Sequence, residues 1–221
     1  MRDETAPIIV KHSAAFITFL LFLYIFFPLV APVLVHNGLN QPARLIYRLY
    51  SPLCHQLAYR SFFLFGEQVF YPLAENTPPG MVSFEQAFGQ SRADFDTARA
   101  IIGNETYGYK IALCQRDLAI YGSLLFFGWV FLAAQKKIKR IPLAVWLILG
   151  VLPLGLDGFT QLLYSITGAN FTNILLREST PWLRVITGAM FGFFTGWYIF
   201  PALEALLNSP NKSDFPSDQI N

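Results

Sequence analysis

Apolar residues in this chain gather into four long blocks instead of alternating with polar ones. The blocks run from about Ser13 to Val35, Asp117 to Ala134, Ile141 to Leu163 and Pro181 to Leu207. A helix needs about 20 such residues to cross a bilayer, so each block predicts a transmembrane helix. Pro28 and Pro32 sit near the end of the first block and predict a kink there. The first block is longer than the apolar core of a cleaved signal peptide and lacks its small-residue cleavage site.

Between the first and second blocks lies a mixed segment, residues 37–116. Pro42 to Tyr50 carries Arg44 and Arg48 at i,i+4, the pattern of a short amphipathic helix. Ser51-Pro52 is a helix-start signal, and it predicts a helix to about Phe65 that stops at Gly66. Its apolar run Phe62–Phe65 is too short to span, so it reads as interfacial or re-entrant. Ser83-Phe84-Glu85-Gln86 is a capping box that opens a small helical cap ending at Gly103. The tail 208–221 is polar, contains Pro and reads as disordered.

Composition supports the same class. The chain is 54% hydrophobic and 14% charged, where a soluble domain carries about a quarter charged residues. The expectation is an all-α membrane protein: four transmembrane helices, an interfacial or re-entrant helix, and a small helical cap on the outer face. Its surroundings are the lipid bilayer, with other membrane subunits as candidate partners. The net charge of +2 is too small to suggest nucleic acid. Lys136, Lys137, Lys139 and Arg140 crowd the short loop 135–140, which marks that loop as cytoplasmic. Both termini then lie inside the cell (inner or plasma) membrane, and 37–116 lies outside.

Chemistry-bearing residues cluster at the predicted outer boundary. Cys54, His55, Gln56 and Arg60 follow Ser51; Cys114, Gln115, Arg116 and Asp117 open the second span. Asp157, Thr160 and Gln161 close the third span; Arg177, Glu178 and Arg184 flank the start of the fourth. Charged groups at lipid depth pair with one another and face the bundle interior, so these blocks should meet. Cys54, His55 and Cys114 are candidate ligands for zinc or another transition metal, with Asp157 as a fourth ligand. A disulfide Cys54–Cys114 or a redox pair would use the same thiols. Asp157 and Glu178 are candidate catalytic carboxylates. Arg60, Gln115, Arg116, Gln161, Arg177 and Arg184 are candidate substrate contacts, since Arg grips anions bidentately. The simplest use of Arg116 with Asp117, and of Arg177 with Glu178, is as ion pairs. Gly188, Gly192 and Gly196 form a small-residue stripe for close helix packing.

Four blocks, CHQLAYRSFFLFG (54–66), IALCQRDLAIYGS (111–123), LPLGLDGFTQL (152–162) and RESTPWLRVITGAMFG (177–192), resemble the prokaryotic multi-pass membrane proteins called domain of unknown function 2085. The resemblance covers roughly residues 45–200. It implies a multi-pass membrane protein and no particular activity. Three functional readings stay open: a metal or thiol centre with redox or hydrolytic chemistry, an accessory subunit held by a structural disulfide, and a small-ion transporter.

Overall fold

A computed structural model describes residues 12–90, 95–167 and 178–207. It contains four helices long and apolar enough to cross a membrane. The first, α1, is Ser13–His36 and continues through both Pro28 and Pro32, which are buried inside it. Gly38, at φ +77°, then reverses the chain. Helix α2, Asn40–Tyr50, runs back along α1: Ala43 packs near Ala31, and the Tyr50 hydroxyl donates to the Tyr24 carbonyl at 2.8 Å.

The segment after Tyr50 corrects the sequence expectation. Residues 51–57 form turns and extended chain, not a helix, and Gln56 takes a left-handed φ of +53°. A single 3-10 turn at Ala58–Arg60 leads into strand β1, Ser61–Leu64. Strand β1 pairs antiparallel with β3, Gly108–Cys114, and β3 pairs with the short β2, Gly103–Asn104. Tertiary pairing decides the outcome. Lys110 donates to the Gln56 carbonyl at 2.7 Å and to the Arg99 carbonyl at 2.6 Å; Gln56 donates to the Tyr47 carbonyl at 2.9 Å. These bonds hold 51–57 open where an isolated peptide could coil.

The cap is therefore part sheet. Helix α3, Phe84–Phe88, has the expected capping box, with Ser83 and Gln86 bonding reciprocally, and it stops at Gly89. The helical signal does not run on to Gly103 as one element, because a separate helix α4, Phe95–Ala100, follows. Tyr59, Phe63, Tyr71 and Phe84 form the buried aromatic core of the cap, with Phe88 and Tyr107 packed around them.

Strand β3 passes into the second span, α5 (Gln115–Ala133), without a loop, and Cys114 is the helix N-cap. The third span, α6, runs from Leu143 through a π-helical stretch, Trp146–Val151, to Thr167. The indole of Trp146 donates to Thr195 at 3.0 Å. The fourth span, α7 (Pro181–Leu207), starts with a Thr180 cap and Pro181 at its first position. It crosses α5 on the glycine stripe. A Cβ on Gly188 would sit 2.8 Å from the Arg116 carbonyl oxygen, and one on Gly196 would sit 2.9 Å from the Phe127 Cβ. Helices this close need residues without side chains at the crossing. The expectation about the tail 208–221 falls outside the described residues.

Candidate functional site

The four polar sequence blocks meet at the cap end of the bundle. Arg60 grips Glu178 with two bonds of 2.8 and 3.0 Å. Arg184 binds the same carboxylate, and Gln161 donates to it at 3.0 Å. Gln161 also accepts from Arg116 at 2.9 Å, and Arg116 donates to Asp157 at 2.5 Å. Thr187 adds a bond to Asp157 at 3.5 Å. Gln115, fully buried, accepts from Arg184 at 3.4 Å and donates to the Ser61 carbonyl at 3.2 Å. The cap strand β1 and helices α5, α6 and α7 thus share one network.

The pairing differs from the neighbour pairs expected from sequence. Arg116 pairs with Asp157 across two helices instead of with Asp117, because successive helical residues point in different directions. Glu178 is held by two guanidiniums and an amide. Arg177 lies outside the described residues.

Beside this network lie both cysteines. The Sγ atoms of Cys54 and Cys114 and a carboxylate oxygen of Asp117 fall within 4.8 Å of one another. Both thiols are free, so the expected disulfide is not formed. The Cys114 amide donates to the Cys54 sulfur at 3.2 Å. A hydrogen bond to Cys54, then burial, holds the Cys114 thiol well above the usual thiol range. His55 does not join the thiols. It is exposed and packs edge-on to Phe95 at 5.7 Å. Asp157 does not join them either, being committed to Arg116. Asp117 fills the third place because an N-cap residue and the residue three on approach each other in the first helical turn.

A cavity of about 220 Å³ opens on this cluster. Cys54, Cys114 and Asp117 line one part, and Arg60, Arg116, Arg184 and Gln161 line another. Three buried polar atoms here have no hydrogen-bond partner among the described residues: Arg116 Nε, Arg184 Nε and Asp157 Oδ1. Two sulfurs and one carboxylate oxygen are donors of the kind that zinc takes.

The family model described as predicted membrane protein (DUF2085) matches residues 105–198. The uncharacterized protein MJ1492 of Methanocaldococcus jannaschii is 30% identical over 158 residues, covering 71% of this chain and 67% of its own. The chain belongs to the DUF2085 family. No solved structure matches it. The DUF2085 match contains Cys114, Arg116, Asp117, Asp157, Gln161, Glu178 and Arg184, while Cys54 and Arg60 lie ahead of it. The site of this DUF2085 protein is thus built across the start of the matched stretch.

Sequence reasoning missed Lys110 and Thr187. Lys110 is 1% exposed, bonded to two carbonyls, and lines a second cavity of about 290 Å³ with Tyr47 and Arg99. A single Lys inside the apolar run GYKIALC was the available signal. Burial, opposed by nearby Cys54 and aided by Arg99, lowers its ammonium to about 7. An unfolded Lys holds its proton to about pH 10.4, so between those values the unfolded chain binds more protons. Lys110 therefore makes stability rise with pH from about 7 upward, by at most about 1.4 kcal/mol per unit. Melting curves across that range should show a rise that Lys110→Met flattens. Equal slopes in both proteins would refute the assignment.

Proposed function

We propose that this membrane protein holds a zinc-class cation on Cys54, Cys114 and Asp117 and uses it for hydrolytic chemistry on a membrane-associated anion. The observation that carries this reading is the approach of the three ligand atoms to within 4.8 Å at the wall of an arginine-lined cavity. With the metal bound, an open position on it would supply Lewis acidity and an activated water. Arg116 and Arg184, which line the cavity, would orient the anion. Asp157, bonded to the cavity-lining Arg116, would be the proton acceptor nearest the site. The basic loop 135–140 lies at the other end of α5, which supports a cap on the outer face of the cell membrane with both termini inside.

Elemental analysis of the detergent-purified protein tests the metal. The expected result is about one ion per chain, lost in Cys54→Ser. Its affinity should rise about tenfold per pH unit while Cys114 still carries its proton, because ligation releases that proton. No metal in either protein would overturn the reading. A non-enzymatic accessory role would then follow, and the saturated Glu178 anchor already favours it as the second reading.

A further inference from the structure

Two polar layers bracket the helical bundle. One is the network around Arg184. The other is the ion pair of Lys136 with Glu204, 2.8 Å apart. Arg184 and Glu204 lie twenty residues apart on the same helix. At 1.5 Å per residue that is about 30 Å, the thickness of a bilayer's hydrocarbon core. The arginine network therefore lies at the boundary between acyl chains and headgroups.

Helix α2 descends to that boundary. Its buried face is Ala43, Tyr47 and Tyr50. Its opposite face exposes Leu45 at 54% and Leu49 at 61%, and Leu53, in the turn that follows the helix, is 63% exposed. Arg44 and Arg48 flank this apolar row, and both are exposed. An apolar stripe bordered by exposed cations, on a helix that runs along a membrane span, suits acyl chains with anionic headgroups beside them. Leu53 also lines the thiol cavity. The apolar row thus ends at the rim of an arginine-lined pocket at headgroup depth.

Inside, Arg60 and Arg184 share the carboxylate of Glu178, and Arg116 holds Asp157. Arg184 is 3% exposed, and its Nε has no partner among the described residues. The same holds for Arg116 Nε. Guanidinium groups in this state match the oxygens of a phosphate. A soluble anion has no use for an apolar rim, whereas a phospholipid fits both parts.

We propose that the cavity takes the anionic headgroup of a membrane phospholipid, which enters sideways past Leu53 while its acyl chains stay along Leu49 and Leu45. This rests on the reading of the pocket given above and names its substrate class. The test uses the full chain in vesicles of equal parts phosphatidylglycerol and phosphatidylcholine, with retained lipid measured by native mass spectrometry and metal measured on the same samples. The expected result is phosphatidylglycerol retained about tenfold over phosphatidylcholine, and about tenfold less of it in Leu53→Glu. Metal content should be equal in both proteins, which also reports that the variant folds. Millimolar inorganic phosphate should leave the lipid in place. Equal retention of the two lipids, an unchanged Leu53→Glu, or displacement by phosphate would overturn the proposal, the last in favour of a soluble anion. Loss of lipid selectivity with metal intact would sink this inference alone. Absent metal with selectivity intact would sink only the metal centre.

Discussion

Glu178→Gln lowers the unfolding free energy of the detergent-solubilised protein by about 3–5 kcal/mol, the range for breaking a buried ion pair from one side. The carboxylate is 2% exposed and binds Arg60 and Arg184. Gln has nearly the same shape, so the loss comes from charge and not from a cavity. Arg184 is itself buried and would keep no carboxylate within reach among the described residues. Arg60, whose side chain is 23% exposed, can turn toward water. Adding Arg184→Gln to Glu178→Gln should therefore restore part of the lost stability, since it removes the stranded cation. Thermal melts of the single and double variants measure this. A loss below about 1 kcal/mol in the single variant would show that water already screens the site.

Gly192→Val separates α5 from α7. A Cβ at Gly192 would overlap the Ile120 carbonyl oxygen and the Ser123 hydroxyl. The carbonyl belongs to helix backbone and cannot rotate away. Overpacking at such a contact costs about 1–3 kcal/mol for small additions, and Val adds more than one carbon. Gly155→Ala is the matched control, because a Cβ there meets nothing within 4 Å. In that open helical position Ala should stabilise by about 0.5–1 kcal/mol. Opposite signs in the two melts are the expected outcome. A neutral Gly192→Val would mean that the helices are less closely packed than the stripe requires.

The four spans were legible because a twenty-residue apolar block has few alternatives. The glycine stripe was legible for a similar reason: its spacing of four matches a helix face, and it does lie on α5. Residues 51–65 were not. Phe62, Phe63, Leu64 and Phe65 are apolar at every position, so helical and strand periods fit them equally. What decides is β3, about fifty residues on, and no local signal reports a distant partner.

The polar site was legible by depth and not by pairing. Three of the four blocks stand at the end of a span, which placed those three at one level. Which Arg meets which carboxylate depends on helix rotation, and that is set by packing. Cys114 and Asp117 stand three residues apart, a spacing that puts them on one side of a helical turn, and both form part of the cluster. His55 attracted attention by standing next to Cys54. In extended chain, neighbours point to opposite sides, and His55 faces Phe95 instead.

The bond between Arg60 and Glu178 joins residues 118 positions apart, and it sets a timetable for biosynthesis. Arg60 is made early, before three of the four spans. Arg116 finds Asp157 when α6 arrives, but Arg60 and Gln161 wait for Glu178, just ahead of α7. Until the last helix docks, the nascent protein keeps a cation near lipid depth with no counter-ion. That makes closure of the network a completion mark. A chain truncated before Glu178 would leave Arg60 without that carboxylate.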